Sequence, residues 1–85
     1  MSDLTAAFNQ AVADSLGLPV RPGHTTLLRI YALYKQAKAG DVNGEPPDLD
    51  DLVACAKWDA WSAQAGKHAD AAMRQYIELI DSLKA

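Results

Sequence analysis

Hydrophobic positions recur along this chain at three- and four-residue intervals in four segments, separated by stretches rich in glycine and proline. In the first segment Leu4, Phe8, Ala11, Val12 and Ser15 fall on one helical face, with Ser2 or Asp3 as the cap. The stretch Gly17–Gly23, GLPVRPG, cannot continue that helix, because its prolines remove backbone donors and its glycines favour turns. The second segment predicts a helix from about Thr25 to Ala39, halted at Gly40. A loop, GDVNGEPPD, follows with Asn43-Gly44 and Pro46-Pro47 as its turn chemistry. Asp48, Asp50 and Asp51 suit the cap and first turn of a third helix, where carboxylates meet the positive end of the helix dipole. That helix carries Val53, Ala56, Lys57, Ala60 and Trp61 on one side, with Trp58 beside them, and is expected to end at Gly66. The fourth, about His68 to Lys84, has the cleanest stripe: Ala69, Ala72, Met73, Tyr76, Ile80 and Leu83. Its start is the weakest signal, since Lys67 and His68 offer no Ser, Thr or Asn cap. The pattern contains no strand alternation, repeat or low-complexity tract. It predicts an all-α four-helix bundle with one long connection, between the second and third helices.

The second helix organises the rest. Wound at 3.6 residues per turn, Leu27, Leu28, Tyr31, Tyr34, Lys35 and Lys38 share one face. Ile30, Leu33 and Ala37 form a second stripe, which leaves Arg29 and Gln36 for solvent. A helix that needs only a core needs one stripe. The additional face is graded from leucine through tyrosine to lysine, which suits a ligand with an apolar tail, a ring and phosphates.

Size and composition narrow the classes available. Eighty-five residues suit one domain, residues 1–85, with a single core. A hydrophobic fraction of 49% against 22% charged residues marks a globular chain rather than a disordered one. No apolar run reaches the roughly 18 residues that cross a bilayer, and MSDLTAAFNQ lacks the basic and apolar regions of a secretory signal. The expected location is therefore cytoplasmic. One cysteine, Cys55, rules out an internal disulfide and a cysteine-rich metal site. A net charge of −3 argues against nucleic acid as a partner. The acidic residues Asp41, Glu45, Asp48, Asp50 and Asp51 crowd one loop, read as solvated, and Lys35, Lys38 and Lys57 flank it.

The chemistry-bearing residues each admit a plain reading. Tyr31, Tyr34 and Tyr76 all sit on inward faces and suit core aromatics with hydroxyls reaching the surface. Tyr31 and Tyr34, with Lys35 following on the same face, equally suit a ring stacked on aromatics and a phosphate met by ammonium and phenol donors. Lys57, inside AKWDAW, is either a snorkelling lysine on an aromatic rim or a second cation aimed at the same anion as Lys35. His24 and His68 stand apart from any metal-ligand spacing. Cys55, in VACAK, reads as a buried small residue rather than a nucleophile. NGEPPD lacks the glycines and the Lys-Ser ending of a phosphate loop, and no nucleophile–base pair can be assembled, so no catalytic residue, metal or cofactor is expected.

At YALYKQAKAGDVNG, the proline Pro47, AKWDAW and AMRQYI the sequence closely resembles the acyl-CoA-binding protein family, from Phe8 to about Leu83. The motifs YxxYKQA, GDxN, KWDAW and AMxxYI stand in the family's order and spacing. The resemblance implies an up-down-down-up four-helix bundle that carries medium- to long-chain acyl-CoA esters, such as palmitoyl-CoA, without chemistry. By the same resemblance Tyr31, Lys35 and Lys57 hold the ribose 3′-phosphate, Tyr34 meets the adenine and Tyr76 helps line the site. Leu27 and Leu28 lie near the acyl chain, which a groove shelters and the nucleotide end covers. It also implies a monomer in transient contact with acyl-CoA-using enzymes. The chain departs from the family pattern at Leu16, where a nucleotide-contacting lysine is common, and at Val53 and Cys55, where basic residues are common. Arg21 is the only nearby cation to compensate. The alternative from another class is a small helical module whose Tyr–Tyr–Lys face docks a partner protein.

Overall fold

A computed structural model describes residues 3–84, and the four predicted segments are its helices: α1 (Asp3–Ser15), α2 (His24–Ala39), α3 (Leu52–Ser62) and α4 (Ala69–Leu83). Ser2, one of the two capping candidates, lies outside the described residues, and Asp3 is the first residue of α1. Directions follow from which ends meet. The Trp61 indole donates to the Gly40 carbonyl at 2.8 Å, so the C-terminal ends of α2 and α3 lie together and the two helices run parallel. The Gln36 amide, near the end of α2, reaches the Lys67 carbonyl just ahead of α4, so that pair is antiparallel. Asp14 pairs with Lys84 at 2.7 Å, which brings the ends of α1 and α4 together. The order is up-down-down-up, and the 12-residue connection from Gly40 to Asp51 is long because it must return along the bundle.

The core lies where α4 packs between α1 and α2, with α3 on the far side of α2. Phe8, Ala11, Leu33, Ala37, Ala72, Tyr76 and Ile80 are buried together. The predicted stripe of α4 faces that core: Ala72, Tyr76 and Ile80 are buried and Ala69, Met73 and Leu83 half-buried. Phe8 meets Tyr76 edge-on at 5.1 Å and stacks towards Tyr34 at 6.1 Å. Arrangements of this kind add to the burial energy of aromatic rings.

Three expectations are corrected. Gln36 is not a solvent residue: it is 1% exposed, and its Nε2 donates to Asp41 Oδ1 at 2.8 Å and to the Lys67 carbonyl at 2.9 Å. Periodicity places Gln36 beside the Leu33–Ala37 stripe, and its polarity is absorbed by partners distant in sequence. The Asp41 side chain is likewise more than a solvated loop group, since the same oxygen accepts from the Gly66 N–H at 2.8 Å and ties the α2–α3 loop to the α3–α4 turn. α3 ends at Ser62 rather than Gly66. Bonds from Gln64 N–H to Trp61 O and from Ala65 N–H to Ser62 O tighten the chain into turns, and Gly66 at φ 85° completes the reversal.

Two caps complete the frame. Asp51 Oδ1 accepts from the Ala54 N–H at 3.0 Å and starts α3. α4 does have a side-chain cap: His68 Nδ1 accepts from the Asp70 N–H at 3.1 Å, a role a neutral imidazole can fill although histidine is not among the favoured capping residues.

Candidate functional site

Parallel packing of α2 on α3 sets the geometry of the site. Positions on α2 face positions 26 further along the chain on α3: Tyr31 meets Lys57, and Lys35 meets Trp61. Lys57 Nζ stands 5.2 Å from the centre of the Tyr31 ring, and Lys35 Nζ stands 4.7 Å from a Trp61 ring. Each ammonium therefore rests on an aromatic face contributed by the other helix, an attraction of order 0.5–1 kcal/mol at exposed sites.

A cavity of about 450 Å³, the main cavity of the candidate site though not the largest depression of the molecule, opens between the start of α2, the first half of α3 and the middle of α4. Its lining is His24, Leu27, Leu28, Ile30, Tyr31 and Tyr34 from α2, Val53 and Lys57 from α3, Tyr76 from α4, and Arg21 from the α1–α2 loop. The charged groups in this lining, Arg21 and Lys57, are both cationic, and no carboxylate takes part. Tyr76 is 2% exposed, and burial pushes its phenol above the ordinary value of 10.0, opposed by a hydrogen bond with Ser15 and reinforced by Tyr34. It is therefore a neutral hydroxyl throughout the physiological range.

A second depression shares Tyr31 and Lys57 with the first and continues over Trp58, Trp61, Ala54, Pro47 and Glu45. On the opposite side of Leu28 a shallow trough runs between α2 and α3, floored by Ala32, Ala56, Ala60 and Ala63. Leu28 belongs to both the main cavity and this trough, so the two adjoin at that side chain.

Of the seven residues singled out in the sequence, six line the main cavity: Leu27, Leu28, Tyr31, Tyr34, Lys57 and Tyr76. Lys35 stands one turn beyond Tyr31, outside that lining and over Trp61. The graded face thus holds from the leucines to the tyrosines, while the cations of the cavity come from α3 and the α1–α2 loop rather than from α2. Four lining residues went unassigned. His24 was legible, since it lies three before Leu27 and four before Leu28 and extends their stripe by a turn. Ile30 was given wholly to the core, where it does make contact. Val53 stands on the sequence-read face of α3 with Lys57, but as a departure from a basic pattern rather than as a wall of the site. Arg21 sits in a proline-bounded loop, where no periodicity reports orientation.

These features define a class: a small all-α bundle with an aromatic, cation-edged cavity joined to an apolar trough. The model of the family described as acyl CoA binding protein matches residues 5–80. An acyl-CoA-binding protein homolog of Drosophila melanogaster is 42% identical over 78 residues, covering 92% of this chain and 91% of that one. The Caenorhabditis elegans acyl-CoA-binding protein homolog 1 is 37% identical over 82 residues, covering 96% and 95%. Human enoyl-CoA delta isomerase 2 matches at 45% over 62 residues, but these make up only 16% of that protein. Among solved structures, acyl-CoA-binding protein 2 of Oryza sativa superposes with a TM-score of 0.91 at 34% identity, covering 95% of this chain and 88% of that one. The acyl-CoA-binding protein of Moniliophthora perniciosa gives a TM-score of 0.84 at 37% identity, covering 93% and 76%. The chain belongs to the acyl-CoA-binding protein family.

Proposed function

We propose that residues 1–85 act as one acyl-CoA-binding unit, a non-catalytic cytoplasmic carrier of medium- to long-chain acyl-CoA esters. One observation carries this reading: a cavity walled by three tyrosines and edged by Lys57 adjoins, at Leu28, an alanine-floored trough, so cationic, aromatic and apolar surfaces lie next to one another as an acyl-CoA would need. The adenine stacks at Tyr34, the 3′-phosphate is met by Lys57 with the Tyr31 hydroxyl and by Lys35 at the Trp61 end, and Tyr76 closes the floor. The acyl tail lies against Leu27 and Leu28.

Each buried methylene contributes about 0.8 kcal/mol in transfer terms, so a palmitoyl chain offers roughly 10 kcal/mol gross, less the cost of ordering a flexible tail. An exposed ammonium–phosphate pair contributes only about 0–1 kcal/mol, by analogy with surface ion pairs. Affinity therefore comes chiefly from the tail, and the cations select: an ester carrying the nucleotide is accepted and a free fatty acid refused. The carrier is a monomer that meets acyl-CoA-using enzymes transiently.

Calorimetric titration with palmitoyl-CoA, coenzyme A and palmitate tests the reading. Tight one-to-one binding of the ester, weaker binding of coenzyme A and none of palmitate are expected. Heat from none of the three, or equal binding of palmitate and its ester, overturns it.

A further inference from the structure

Arg21 is the cation of the cavity that the sequence pattern could not assign. It lines the same 450 Å³ space as Tyr31, Tyr34 and Lys57, from a different wall: Lys57 projects from α3, Arg21 from the α1–α2 loop. A smaller depression beside the cavity, formed with Leu16, Leu18, Pro22 and Leu27, gives the apolar stem of Arg21 a surface to rest on. Among the described residues the ion pairs are those of Lys84 with Asp14 and Asp81, so no carboxylate neutralises Arg21, and none lines the cavity. Pro22 follows it directly and Pro19 precedes it by two, which restricts the backbone on both sides and lowers the cost of holding the side chain in place.

We propose that Arg21 is a ligand-binding residue that contacts the phosphates of the coenzyme A nucleotide, forming a two-cation clamp with Lys57. This rests on the acyl-CoA reading above and adds to it the residue that supplies positive charge where Leu16 and Val53 supply none. The guanidinium suits the task, because it is always charged, weakly hydrated and able to meet two phosphate oxygens at once. The clamp requires the two cations to stand on separate elements: one fixed by a helix, the other by a stiff loop. A phosphate drawn between them is held against the Tyr31 ring, over which Lys57 already stands.

Titrations of coenzyme A and palmitoyl-CoA against the wild type, Arg21→Ala, Arg21→Lys, Lys57→Ala and Arg74→Ala test this. Arg74 is exposed on α4 and lines none of the cavities described, so its removal changes net charge equally without touching the site. Arg21→Ala is expected to weaken coenzyme A about fivefold to tenfold and to flatten the dependence of affinity on salt. Arg21→Lys is expected to restore the salt dependence and part of the affinity, and Arg74→Ala to leave both within about twofold of wild type. A thermal melt of each variant confirms that it is folded. If Arg21→Ala matches Arg74→Ala while Lys57→Ala loses binding, the Arg21 assignment is overturned and the carrier reading stands. If the wild type binds neither compound, both fall.

Discussion

At the scale of single residues, polarity and position pull apart most clearly at Gln36. Its amide is nearly inaccessible, its Nε2 serves two acceptors on different segments, and its Oε1 has no partner among the described residues. Gln36→Leu keeps the volume and removes the orphan oxygen but leaves the Lys67 carbonyl and one Asp41 contact without a donor. Deprived polar groups cost about 1–3 kcal/mol each when buried, and Asp41 can turn to water, so a net loss of about 1–2 kcal/mol is expected. A urea melt of the variant checks this, and unchanged stability would show that the amide is not holding the two segments together. Val53 offers the opposite case, an apolar residue 60% exposed on the wall of a cation-edged cavity. Val53→Lys should tighten coenzyme A about threefold to tenfold with little change in stability, since a surface side chain is exchanged and a phosphate gains a further charge. Titration of coenzyme A against that variant decides the point, and equal or weaker binding refutes it.

At the scale of elements, the helices were legible and their fastenings were not. Leu33, Ala37, Ala72, Tyr76 and Ile80 repeat at helical spacing, so both the elements and their core faces could be read from the order of residues. The boundaries depend on contacts that have no period: His68 capping its own helix, and Asp41 accepting from Gln36 and Gly66. The site divides the same way. Leu27, Leu28, Tyr31 and Tyr34 follow from one helix, whereas Arg21 reaches the cavity from the α1–α2 loop, outside any helical period. The Asp41 staple carries a pH signature. The Gly66 N–H, and then the Gln36 amide, hold its carboxyl below the ordinary value of 3.8. A carboxylate favoured by folding contributes stability that is fully present above the unfolded value and is lost as pH falls through 3.8 towards the folded value. Melting temperatures measured from pH 7 down to 3 should therefore fall less steeply below about pH 4.5 for Asp41→Asn than for the wild type, because the variant has already lost the ionisable group. Parallel profiles would mean that the staple does not distinguish the two protonation states.

At the scale of the whole molecule, the bundle is small and the surface proposed for the ligand is partly open to water. Leu27, Leu28, Tyr31 and Tyr34 are half-buried on the cavity wall, and Val53 is exposed there, so the free protein leaves in water apolar area that a tail would cover. Two consequences follow from the carrier reading. Affinity should climb with the tail, because each methylene laid into the trough adds up to about 0.8 kcal/mol before ordering costs. Between eight and sixteen carbons a rise of at least about tenfold is expected, and a flat series would mean that the tail stays in solvent and the nucleotide alone is bound. Stability should climb as well, since a ligand that binds only the folded chain adds about 2.7 kcal/mol at a hundred times its dissociation constant. For a domain of this size one kcal/mol moves the melting temperature by about 4–8 °C, so palmitoyl-CoA should raise it by roughly 10–20 °C. Coenzyme A at the same multiple of its own, weaker constant should give the same shift, whereas at equal concentration it should give much less. That contrast separates a bound tail from non-specific effects of an amphiphile, because a detergent-like action would lower the melting temperature while a lodged ester raises it.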